Sequence, residues 1–380
     1  MKPITRFTFP RLLSLTLLAF SLFSFAMIGD DPCTVVEITP NPDATTYLWS
    51  ADSSKYLDNR KDAAGVFQIY VGKKGDTTAV CISQNGPASA IKPWTARNKM
   101  QVLWHPSGEW IICAVEKEKF DEEWLKGTKT GRNLIEGWLQ CGLWMDIYAV
   151  KPDGSKWCLL ATTVHGMTGP AFTPNGKTCV WAETLDSANM IKDKFGRWRL
   201  MQSEFATDAA GNAVFTSTKD ITPKGAVWVE PGNFSPDGKT VLLSADIGLD
   251  DARGQDQYTL DITTGKVVNL TNSPKIWDEH GVFSPDGKKI LFMSSYPYRH
   301  KKNSYKIKSI KTEFMLMNAD GSGLTQLTRF RTKGSPEYHD GIAAIGFFSA
   351  DGKTIYAQTL TFPINNFWII RFKGPCWDSH

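Results

Sequence analysis

The chain has 380 residues, 42% hydrophobic and 22% charged, which excludes wholesale disorder and leaves room for one large domain or two small ones. Forty-three Lys and Arg against 39 Asp and Glu give a formal charge of +4. Three of those positive charges lie in the leader described next, so the remainder is near neutral and binding of nucleic acid through bulk charge is excluded.

In chain order, Lys2, Arg6 and Arg11 precede an uncharged apolar run from Leu12 to Ala26. A basic start, a short apolar core and small residues at Ser24 and Ala26 predict a signal peptide over residues 1–26. The run is shorter than the roughly 20 residues of a spanning helix, and no second run of that length follows. The expectation is a periplasmic or extracellular protein that is not integral to a membrane, with residues 27–380 as one domain. Cys81, Cys113, Cys158 and Cys179 sit in apolar, strand-like runs and read as buried thiols. Cys33 and Cys376 stand apart near the two ends of that domain, and no zinc-type Cys/His spacing occurs.

Self-comparison finds six copies of one motif. They are WSADSSKYL from Trp49, WHPSGEWIICAVE from Trp104, FTPNGKTCVWAET from Phe172, FSPDGKTVLLSAD from Phe234, FSPDGKKILFMSS from Phe283 and FSADGKTIYAQTL from Phe348. The turn glycine, or its stand-in, is Ser53, Gly108, Gly176, Gly238, Gly287 or Gly352. An aromatic ends a short strand, the turn follows with glycine accepting positive φ, and an apolar strand comes next. A second hairpin completes each copy, as in QYTLD, TG, KVVNLT from Gln257. Four strands per copy predict an all-β, six-bladed propeller. Coiled-coil and doubly wound folds are excluded, because helical periodicity is missing between the strands.

The sixth copy runs out after Phe367 to Phe372, one strand short, while Thr34 to Thr39 matches the fourth strand of copy four. The N-terminal strand is therefore expected to complete the last blade and remove the open edges. Antiparallel pairing there would set Cys33 close to Cys376, and a disulfide is expected between them. Two insertions interrupt the pattern. Residues 116–143 show helical spacing of Phe120, Trp124 and Leu125 within blade two and read as a surface elaboration, with a lid or partner surface as the alternative because Trp124, Trp138 and Trp144 crowd the segment. Residues 296–311 carry Arg299, His300, Lys301, Lys302, Lys306, Lys308 and Lys311 and read as a solvated basic loop, with an anionic-ligand site as the alternative.

The FSPDGK turn followed by the MNADGSGLTQLT hairpin from Met317 resembles the WD40-like (PD40) repeats of the TolB-like propeller family. The resemblance covers nearly all of residues 45–372 and is strongest over 169–330. It implies a six-bladed propeller in a secreted or periplasmic bacterial protein. It departs in one respect: a short strand precedes the first copy, where TolB carries a separate N-terminal domain.

Tests for catalytic motifs are mostly negative. Gly-Lys-Thr begins at Gly176, Gly238 and Gly352, but Ala171, Asn233 and Phe347 stand where a P-loop needs its first glycine, so nucleotide binding is excluded. No GxSxG or HExxH occurs, and the acidic stretch from Asp246 to Asp256 lacks EF-hand spacing. One constellation remains. The segments leading into the first strands of blades three to six carry His165, Glu230, Glu279, His280, His339 and Asp340. If they meet at one mouth of the channel, they suit a polar binding funnel or hydrogen-bonded side chains around a water-filled pore. They also suit a divalent metal held by His165, His280, His339 and Glu230. The resemblance adds that propeller-type pectin-fragment lyases use histidine ligands near the channel. The expected function is a binding or protein-interaction module taking a protein or carbohydrate ligand at one face. The alternative is a metal-dependent, lyase-like carbohydrate-active enzyme. No complete acid/base set can be assigned, which favours the module.

Overall fold

The computed structural model describes residues 31–41, 48–76, 78–119, 142–186, 196–249, 254–306, 309–361 and 364–377. The expected signal peptide, most of the 116–143 insertion, Lys308 and residues 250–253 of the acidic 246–256 stretch lie outside the described residues. Among the described residues no helix is long and apolar enough to cross a membrane.

The strands in chain order are β1 (Val35–Pro40), then β2 (Lys55–Lys61), β3 (Phe67–Lys73) and β4 (Val80–Cys81) of blade one. Blade two is β5 (Lys99–Trp104), β6 (Ile111–Glu116), β7 (Met145–Val150) and β8 (Trp157–Ala161). Blade three is β9 (Met167–Phe172), β10 (Thr178–Thr184), β11 (Trp198–Thr207) and β12 (Ala213–Asp220). Blade four is β13 (Val229–Phe234), β14 (Thr240–Ala245), β15 (Asp256–Asp261) and β16 (Val267–Asn269). Blade five is β17 (Asp278–Phe283), β18 (Lys289–Ser294), β19 (Glu313–Asn318) and β20 (Thr325–Gln326). Blade six is β21 (Ile342–Phe348), β22 (Thr354–Thr361) and β23 (Ile364–Phe372), with β1 as its fourth strand. The protein is thus a six-bladed β-propeller of antiparallel sheets. In blade one the innermost strand shrinks to a bridge between Trp49 and Tyr56.

The repeated turn explains its own sequence. In blade four, Ser235 Oγ donates to Asp237 Oδ1 at 2.6 Å, and the Lys239 and Thr240 amides donate to Asp237 Oδ1 and Ser235 Oγ at 3.1 Å each. Ser284 with Asp286, Thr173 with Asn175 and Ser50 with Asp52 repeat the arrangement. All six turn positions have positive φ, from +55° at Ser53 to +74° at Gly352.

A second device is less visible in sequence. Carboxylates at the third strands' first or second positions accept amides from the chain leaving the fourth strand. Asp146 takes Thr163 N, Asp256 takes Ser273 N, and Glu313 takes Phe330 N and Arg331 N, all at 2.8–3.0 Å. Carboxylates within one residue of the end of second strands accept amides of the segment leading into the first strand. Glu116 takes Asn98 N, Glu183 takes Val164 N, and Asp246 takes Val227 N and Trp228 N. Both series fix the loops of one face, and each satisfies amides that would otherwise lose water at a cost.

The second strands are sandwiched between neighbouring blades, so Ile111–Glu116 is buried along its whole length. The core packs from blade to blade, with Trp110, Trp181, Leu243 and Tyr258 in one cluster and Leu291, Phe314, Ile370 and Trp377 in another. Closure is as expected from the sequence, with β1 pairing antiparallel to β23 (Val35 opposite Phe372, Pro40 opposite Trp368). Cys33 and Cys376 are joined by a disulfide with Cα atoms 4.5 Å apart. Trp377 then lies against Phe348 and Phe372, its indole N–H on Ser349 O. Cys113, Cys158 and Cys179 are buried thiols, and Cys81 is half-buried.

Candidate functional site

The first strands stand side by side around the axis, and each of the five named ones breaks register with its second strand near the middle. The break falls within the four residues before the closing aromatic. Three residues before it the backbone is left-handed at Gln101 (φ +48°), Gly169 (+62°) and His280 (+57°). Such bulges re-aim side chains. Neighbouring first strands then meet closely. Asn233 exchanges two hydrogen bonds with the Phe283 backbone, and a Cβ on Gly232 would sit 2.1 Å from Gly281 O, so only glycine fits there.

Four residues before the aromatic, blades three, four and five carry Thr168, Glu230 and Glu279. These side chains form a layer around the axis. Thr168 Oγ1 donates to Glu230 Oε1 at 2.7 Å, and the Trp277 indole N–H donates to Glu279 Oε2 at 2.7 Å. His280 projects from the bulge, with Nδ1 3.0 Å from Ala344 O of blade six and Nε2 3.6 Å from Glu230 Oε2. A carbonyl can only accept, so Nδ1 carries hydrogen, and Nε2 is the atom that gains or loses a proton facing Glu230. One ligand atom each from Glu230, Glu279 and His280 lie within 4.8 Å of one another. His280 keeps 28% of its side-chain surface accessible, while Glu279 is buried.

Burial pushes the Glu279 carboxyl up to about 7, with the Glu230 charge adding to the rise and His280 and the Trp277 N–H opposing it. Burial works against charge on His280, but the Glu279 and Glu230 carboxylates outweigh it and raise the imidazole's pKa. Two carboxylates against one imidazole leave an acidic pocket suited to a cationic group or a divalent ion.

The other predicted residues are not in this cluster. His165 packs edge-on against Trp144 with ring centroids 5.6 Å apart. His339 lies by Thr361 Oγ1 and Asn366 Nδ2, at 3.1 and 3.2 Å, and its ring packs against Trp368. Burial lowers its pKa. Asp340 pairs with Arg331 at 2.7 Å with 74% of its side chain exposed. Of the expected metal set of His165, His280, His339 and Glu230, the structure brings together His280 and Glu230, joined by Glu279, while His165 and His339 sit on the segments before β9 and β21 and pack against Trp144 and against residues of β22 and β23. Only residues within the strands, on the axial layer or its bulge, converge. Thr168 escaped sequence reasoning, although counting back from the closing aromatic aligns it with Glu230 and Glu279. Trp277 and the Ala344 carbonyl carried no signal.

No family model and no curated protein matches the chain. Among solved structures it is similar to TolB from Acinetobacter baumannii, at TM-score 0.46 and 15% identity over 85% of this chain and 65% of that one. A putative TolB from Agrobacterium tumefaciens gives 0.48 and 16% over 74% and 79%. A puromycin-hydrolyzing peptidase from Mycobacterium tuberculosis gives 0.51 and 12% over 85% and 41%. The chain spans about two thirds of the Acinetobacter protein and less than half of the peptidase. At these identities the likeness concerns the fold alone.

Proposed function

We propose that the protein is an exported binding module and that its funnel grips a cationic group of a partner protein between Glu230 and Glu279. The observation that carries this reading is the convergence of Glu230, Glu279 and His280 on one axial layer. Their order comes from strands and bulges, so the pocket is preorganised. Export rests on the leader at residues 1–26 and fits the Cys33–Cys376 disulfide, since such bonds persist in oxidising compartments. Residues 27–380 are the mature domain in this proposal. Selection of a random displayed peptide library tests the function. Enriched peptides should share a Lys or Arg whose replacement by Ala abolishes binding, and Glu230→Gln with Glu279→Gln should weaken them at least tenfold. Equal binding to wild type and variant would reject the reading.

The same convergence supports one second reading, a divalent ion on Glu230, Glu279 and His280. It would make the lyase-like alternative chemically reasonable, because an ion can polarise an acidic sugar's carboxylate. Elemental analysis decides: a stoichiometric ion lost in the Glu230→Gln, Glu279→Gln variant favours it, together with turnover of an acidic oligosaccharide.

A further inference from the structure

The basic insertion of blade five forms one wall of a hollow of about 550 Å³. The opposite wall is the chain leaving β20. Lys301 and Lys311 line it from the first side, and Arg329, Arg331 and Lys333 from the second. Both walls are tied to one buried carboxylate. Glu313 receives the Tyr298 hydroxyl, Thr328 Oγ1, Phe330 N and Arg331 N, so its charge is spent holding the hollow open. The cations crowd one another. Burial, then Lys301 and Arg331, lower the Lys311 pKa; Asp340 opposes them, and Lys333 adds least to the lowering. Among the described residues, Lys311 and Lys333 have no ion-pair partner.

The face is the one that carries the funnel. Ser294, where the insertion begins, pairs with Asp278 at the start of β17, and the second wall leads into β21. Asp340, predicted from sequence as a funnel residue, sits at this rim, where its carboxylate occupies Arg331. It marks where an incoming carboxylate would bind. Tyr298 in the lining is buried and its hydroxyl is committed to Glu313, so it offers no ring face on which a sugar could stack. That favours a peptide over an acidic glycan.

We propose that this hollow docks an acidic, extended segment of a partner protein, with Asp340 as an internal competitor for Arg331. The inference names a partner chemistry for the face that the binding-module reading already assigns, and rests on that reading only for the face's role. Lysines and arginines crowded in a concave site raise the local concentration of an anionic segment and speed its encounter.

The test is fluorescence anisotropy of a labelled decapeptide of Asp, Glu, Gly and Ser, with the Asn/Gln counterpart as control. The acidic peptide should bind saturably, and more weakly as salt shortens the reach of the field. Lys311→Gln with Lys333→Gln should weaken it at least tenfold, whereas Asp340→Asn should tighten it about threefold. A merely structural role for Asp340 predicts no gain. Unfolding midpoints of the variants confirm that they fold. Equal binding by the lysine variant, no gain from Asp340→Asn, or tenfold tighter binding of an oligogalacturonate of equal charge would overturn the proposal. Glu230→Gln should leave the decapeptide's affinity unchanged, so failure of the funnel reading and failure of this one are separable.

Discussion

Six backbone positions at positive φ sit at the same step of the repeat, and at one of them a serine does what glycine does elsewhere. A non-glycine residue there bears roughly 1–2 kcal/mol of steric cost, partly offset because glycine loses more freedom on folding. Ser53→Gly is therefore expected to be neutral or stabilising by up to about 1 kcal/mol. Gly108→Ala, whose Cβ would meet nothing within 4 Å, should cost about 1 kcal/mol. Gly352→Ala should cost about 3 kcal/mol, because its Cβ would come within 2.4 Å of Trp377 O. Urea unfolding of the three variants checks the order. Burial has a measurable consequence at Lys99. Its ammonium is fully buried on Trp94 O, and burial lowers its pKa to about 8 from 10.5. Below pH 8 both folded and unfolded chains carry the proton, and the folded state bears the full penalty, on the order of 3 kcal/mol. Between 8 and 10.5 the unfolded chain holds more protons, so stability should rise with pH. Lys99→Met should be more stable by about 2 kcal/mol at pH 7 and should flatten that rise.

At the scale of elements, the repeated turns and the alternation of apolar runs made the blades legible, because each copy must bury a strand on both sides and reverse through one turn geometry. The matching strands of copy four and the N-terminus made the closing pair legible for the same reason. The funnel was legible only in part. Glu230, Glu279 and His280 stood out as polar residues of the segments entering the first strands. His165 and His339 were drawn in because sequence distance alone does not say whether a residue lies in a strand or on the loop before it. The bulge decides this, and nothing in the sequence marks it except glycine at Gly169; Gln101 and His280 adopt left-handed backbone without being glycine. Such strain is held by surrounding structure and gathers where side chains must be aimed. His280→Gly should keep or raise the unfolding free energy, by up to about 1 kcal/mol, while abolishing the binding of funnel-selected peptides. A variant that loses stability and keeps binding would show that the strained histidine serves the fold.

For the whole molecule, the two ends of the described chain are tied to blade six by β1 and by Cys33–Cys376, 343 residues apart in sequence. A propeller without such a clasp opens along one blade and exposes its edges. Cys33→Ser with Cys376→Ser should lose about 2–4 kcal/mol, read by denaturant unfolding, with the β1–β23 register surviving in hydrogen exchange. Around that closed ring, one face holds an acidic pocket on the axis and a cationic hollow at the rim, which suits a partner bearing a basic side chain beside an acidic segment. The proposal turns on the acidic pocket of Glu230 and Glu279 receiving a cationic group. A crystal structure of the protein with a library-selected peptide tests it most directly. A cationic nitrogen of the peptide should lie within about 4 Å of carboxylate oxygens of both Glu230 and Glu279. A peptide seated on the outer strands, with the two carboxylates and His280 still arranged as in the free protein, would contradict it.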